Sequence, residues 1–207
     1  MSVYLLIGIV IWLYALSILK RAQLSAFHFI VGSGGLFFIL IALSDPYWVW
    51  FFTHAVINGI RWFGALTGMS SVMNKYGLVS IVNPTAPVTM AIDYECSGII
   101  ETTAFISLVI FLPLYNKFER VFFSVLGTLW IYVANVIRLA SVIVIVHFGG
   151  GNLFFIAHSI VGRLVFYVLV IILYYDVFTY SQLSQGLYRG FKNRIQRLKQ
   201  RIRSTKG

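Results

Sequence analysis

Apolar runs recur along this chain at lengths close to the ~20 residues that carry a helix across a hydrocarbon core. That repetition constrains the fold more than any single motif does. Backbone groups inside a bilayer must find partners within the protein, so helices are the default spanning element. Composition agrees, with 59% hydrophobic and only 11% charged residues, which sets aside an ordinary soluble domain. The expected architecture is an all-α polytopic membrane helical bundle, with a short extracytoplasmic β-like loop and a basic amphipathic C-terminal helix.

Residues 3–19 form the first expected helix, closed by Lys20-Arg21, and residues 27–44 the second. The positive-inside rule puts their connection in the cytoplasm and the N-terminus outside. Residues 3–19 lack a preceding basic region and a small-residue cleavage site, so they read as a membrane helix and not as a cleavable signal. Gly32, Gly34 and Gly35 suit close helix packing. Residues 47–66 mix His54, Asn58 and Arg61 with Trp48, Trp50 and Trp62, which points to an interfacial or re-entrant helix. A full span there would put Lys20-Arg21 outside, against the charge rule.

The outer loop, residues 67–95, has a different texture. Its β-favouring stretches 77–82 and 88–92 flank Asn83-Pro84-Thr85-Ala86-Pro87, the pattern of a hairpin. Such a loop is either a plain connector, a wall of a substrate site or an edge for an extended peptide. Residues 97–114 then run inward and 121–147 outward. That outward segment would span about 40 Å against a core of about 30 Å, so it either tilts and projects or breaks near Asn135. Residues 154–178 return inward, which completes a transmembrane domain over 1–181.

The net charge of +10 does not imply nucleic acid, because eight of the sixteen Lys and Arg residues fall between Arg189 and Lys206. They lie in a basic cytoplasmic tail, 182–207, where Leu187, Phe191, Ile195, Leu198 and Ile202 mark one helical face. Its expected partner is anionic membrane lipid. The single cysteine makes neither an intramolecular disulfide nor a zinc cysteine cluster, and no cofactor or metal is expected.

Most polar residues of the apolar segments gather at one level. Cys96 opens a descending helix, Arg138 lies high on an ascending one, and His158 opens the next descending one. A cysteine is ordinarily a small buried residue, and an arginine in an apolar segment marks a functional or paired position, here with Glu101 or Asp93 as candidate partners. Together the three suit acyl transfer. A guanidinium near sulfur favours thiolate and donates to a developing oxyanion, and a histidine moves a proton near neutral pH. His54 and His147 sit at a similar depth and compete for that role, while Glu95 and Glu101 are placed to orient a histidine or pair with arginines.

Glu95-Cys96-Ser97-Gly98 at a helix head, then Asn135-Val136-Ile137-Arg138, then His158-x3-Gly162 resemble, in that order, the three signature blocks of the exosortase/archaeosortase family of membrane transpeptidases. The chain is most similar to the small G-type exosortases of Gram-positive bacteria. The resemblance covers residues 93–167. It implies a cysteine transpeptidase or protease whose substrate protein carries a C-terminal motif, a hydrophobic helix and a basic cluster. It also implies cleavage at the outer membrane surface through a thioester and transfer to an acceptor. By resemblance Cys96 is the nucleophile, Arg138 the transition-state stabiliser and His158 the acid/base, with Asn135, Glu95 and Arg163 supporting. Typical relatives have more membrane helices, and an acidic residue is common where Ser159 stands. Some relatives use arginine at the third position, so Arg163 is the alternative to His158. The competing expectation is a non-enzymatic transporter or accessory scaffold with a polar pathway lined by Arg138, Glu101 and Arg163.

Overall fold

The protein is described by a computed structural model covering residues 3–73, 77–83, 88–92 and 96–179. The expectations for Asp93 and Glu95, for Pro84–Pro87 and for the tail 182–207 lie outside the described residues. The rest is mainly helical: α1 (Val3–Arg21), α2 (Ser25–Ser44), α3 (Tyr47–Thr67), α4 (Ile99–Phe111) and α5 (Lys117–Gly149). A last helical run, Gly151–Thr179, contains α6 (Phe154–Ile156) and α7 (Gly162–Tyr174). Among the described residues, α1, α2, α5 and the last run are long and apolar enough to cross a membrane.

Three expectations about these helices change. Tyr47–Thr67 is one continuous helix of 21 residues, so no re-entrant turn occurs there; Gly68 ends it in the left-handed region, φ 70°. The segment expected over 97–114 shortens to the 13 residues of α4, about 20 Å long. It starts only after Gly98, whose φ of 75° is left-handed, and it stops as Leu112 turns extended ahead of Pro113. Conversely α5 runs unbroken for 33 residues, about 50 Å, with no interruption at Asn135. Its start lies earlier than expected because Asn116 and Glu119 form a reciprocal capping box.

A small antiparallel sheet has the order β1 (Ser70–Met73), β2 (Leu78–Ile81), β3 (Val88–Ala91). The two strands expected from the sequence are β2 and β3, paired Val79 to Met90 and Ile81 to Val88. The third, β1, pairs Val72 with Val79. Val79, Ile81 and Met90 face inward onto Val56, Ile57 and Ile60 of α3 and Val142, Ile143 and Val146 of α5. Asn83 Nδ2 donates to the Val146 and His147 carbonyls at 2.7 and 3.1 Å, which ties the sheet to the end of α5.

A second core joins Phe105 and Val109 of α4 to Phe123, Ile131 and Ala134 of α5 and Phe166 and Leu173 of α7. Close approach is bought by missing side chains. A Cβ on Gly127 would lie 2.0 Å from Phe105 Cε1, and one on Gly32 2.2 Å from Phe111 Cδ1. Gly35 receives Trp12 in the same way, whereas Gly34 has open space around it. Gly32 and Gly35 therefore serve packing, as expected for helices whose association depends on contact and not on expelling water.

Candidate active site

The site lies at the seam of the two cores. Cys96 and Leu139 belong to the sheet-side cluster, Ile131 and Ala134 to the other, and the polar residues Asn135 and Arg138 fill the boundary between them. Spaced three apart on α5, Asn135 and Arg138 share one helix face. Their exposures are 0% and 7%, and that of Cys96 is 6%, so water contributes little to their solvation.

Each makes one bond to the cysteine. Asn135 Nδ2 donates to the Cys96 carbonyl at 2.5 Å, and Arg138 Nη2 donates to Cys96 Sγ at 3.6 Å. The first fixes the backbone of the turn that carries the sulfur, and the second aims a cation at it. The turn comes this close because Gly98 is left-handed: a Cβ on it would stand 3.4 Å from Asn135 Nδ2. Arg138 is held on its other side by the Phe166 ring, 5.7 Å from its guanidinium carbon, a cation–π arrangement. Its Cγ would lie 3.5 Å from a Cβ on Gly162, so α7 also packs on the arginine stem.

His158 is half-buried and stacks on Phe154, ring centroids 5.6 Å apart and 8° from parallel. It sits in a π-helical turn, Ala157–Val161, one turn before the Gly162 that abuts Arg138. Such turns insert one extra residue into a helix and often mark functional positions. The rival histidines are engaged elsewhere: His54 Nδ1 bonds the Trp50 carbonyl of its own helix at 2.8 Å, and His147 Nδ1 bonds the Val82 carbonyl. Arg163 is exposed on α7, its direction set by the neighbouring Gly162 facing inward. Glu101, on the first turn of α4, is half-buried and within the electrostatic field of Arg138.

The hydroxyls of α4 add no chemistry of their own. Thr102, Thr103 and Ser107 each donate to the carbonyl four residues earlier, at 2.8, 2.9 and 2.7 Å, the usual resting place of a hydroxyl within an apolar helix. A mainly apolar cavity of 360 Å³ lies beside them, lined by Leu40, Ser44, Trp48, Phe52, Ile99 and Thr102 among others. No three His, Cys, Asp or Glu side chains gather as a metal site among the described residues. Comparison with protein-family models, curated proteins and solved structures gives no match in any of the three.

Proposed function

We propose that this chain is a multi-pass, membrane-embedded cysteine transpeptidase or protease of exosortase type, acting on the C-terminal sorting signal of a secreted protein. One observation carries the reading: a buried arginine, 42 residues away in sequence, directs an N–H at the only cysteine. A bilayer segment has little reason to bury that pair unless the sulfur is used. Charge distribution supports a site on the extracytoplasmic side. Lys20, Arg21, Lys117 and Arg120 lie at the far end of α1, α4 and α5 from Cys96, which by the positive-inside rule is the cytoplasmic end.

In this reading the Cys96 thiolate attacks the carbonyl carbon of the scissile peptide bond, and the electron pair of the C=O moves to oxygen. Arg138 stabilises that oxyanion. As the oxygen reforms its double bond the C–N bond breaks, and the departing amine takes a proton from His158, leaving a thioester on Sγ. An acceptor nucleophile gives its proton to His158, attacks the thioester and releases Cys96. Asn135 holds the Cys96 carbonyl, so the sulfur does not drift from the arginine.

The test is co-expression with a secreted protein ending in a motif, an apolar helix and a basic cluster. Cys96→Ser and Cys96→Ala are expected to leave it unprocessed while inserting normally; normal processing by either variant refutes the assignment. The transporter reading is weakened by Arg163, whose exposure takes it out of any internal pathway shared with Arg138 and Glu101.

A further inference from the structure

Asn135 and Arg138 each have a fully buried polar atom without a hydrogen-bond partner among the described residues. Because a carbonyl only accepts, the bond to Cys96 O must come from the Asn135 amide nitrogen, which fixes the amide orientation. Asn135 Oδ1 is then an acceptor with no partner, and Arg138 Nε a donor with none, among the described residues. Both side chains are more than nine-tenths buried. Native proteins seldom leave such groups unpaired without a use for them.

Oδ1 belongs to the amide whose nitrogen holds the Cys96 carbonyl, and Nε to the guanidinium whose Nη2 reaches Cys96 Sγ. They therefore present one acceptor and one donor to whatever reaches Sγ. A carboxylate or phosphate would satisfy Nε but meet the lone pairs of Oδ1. A lipid ester has a carbonyl for Nε but no hydrogen for Oδ1. A residue of an extended polypeptide offers both, since its own N–H and C=O point to the same side.

Resting on the proposed nucleophile, we infer that Asn135 is a specificity-determining residue. Its Oδ1 accepts the main-chain N–H of the substrate residue under attack, while that residue's carbonyl oxygen takes the Arg138 Nε hydrogen. The pair reads backbone and not side chain, so it separates peptides from esters whatever the recognition motif.

Cys96 is the only cysteine, so its alkylation can be followed by mass spectrometry of the intact protein, with peptide mapping to locate the adduct. The probes are acetylglycine chloromethyl ketone and its acetoxy counterpart, in which oxygen replaces the N–H. Each rate is divided by the rate of the same probe with glutathione. The expected result is alkylation of the wild-type protein at least about tenfold faster by the amide probe, a preference that Asn135→Ala reduces to within about twofold. The wild-type comparison needs no variant and is decisive even where Asn135→Ala does not fold. Equal normalised rates in wild type overturn this inference and leave the nucleophile standing. A preference that survives in folded Asn135→Ala overturns the assignment to Asn135. Failure of both probes on folded protein whose Cys96 reacts after denaturation overturns this inference and the nucleophile together.

Discussion

At the scale of single residues, the arginine is the part that sequence logic placed best. A cation inside an apolar run has few reasons to exist, and its place high on the outward segment sets Arg138 level with Cys96. What the sequence does not contain is the division of labour within its guanidinium: Nη2 on the sulfur, Nε without a partner among the described residues, and the central carbon over the Phe166 ring. Lysine cannot reproduce this fork. Arg138→Lys is therefore expected to keep the fold, as judged by an unchanged melting profile, and to lose about 10²-fold in turnover of the processed protein. Turnover within about threefold of wild type would show that a point charge suffices. Asn135 was legible only as part of a motif, because its bond to the Cys96 carbonyl depends on the left-handed turn at Gly98.

At the scale of elements, apolar runs announced the helices but not their internal registers. In an almost wholly apolar stretch such as 154–178, one residue inserted into the helical repeat leaves no trace in the pattern, so the π turn Ala157–Val161 could not be foreseen. The strand Ser70–Met73 escaped for a different reason, since four residues are too few to show alternation. The π turn has a testable consequence. Deleting Ser159 restores α-helical spacing and rotates everything before Gly162 by about 100°, turning His158 while leaving the packing of Gly162 on Arg138 intact. We expect the deletion variant to insert normally and to keep Cys96 reactive toward iodoacetamide, but to lose at least about 10²-fold in turnover. Full turnover would remove His158 from the acid/base role and leave the Cys96–Arg138 pair as the site.

At the scale of the whole molecule, the proposed orientation rests on where the basic residues fall. It is tested in a Cys96→Ser background with a membrane-impermeant maleimide. Asn152→Cys, in the exposed turn between α5 and α6, is expected to label in intact cells. Asn116→Cys, exposed at the opposite end of α5, is expected to label only after permeabilisation. The reverse pattern would place the cysteine site on the cytoplasmic side and end the sorting hypothesis. Charge and hydropathy made the broad architecture readable in advance. The seam between two cores was not readable, because it arises from which faces of α5 meet the sheet and which meet α4 and α7.

The outermost helix illustrates how unevenly selection must act on this molecule. No side chain of α1 is buried; its main grip is Trp12, seated in the notch at Gly35 with its indole nitrogen donating to the Val31 carbonyl at 2.8 Å. The exposed positions of that helix, such as Val10, Ile11 and Leu13, answer to the surrounding oil and not to a neighbour of fixed shape. Substitutions among leucine, isoleucine, valine and phenylalanine there should accumulate almost neutrally, while Trp12 and Gly35 change together or not at all. Lineages descended from this sequence would then diverge fastest in the helix that is chemically most monotonous.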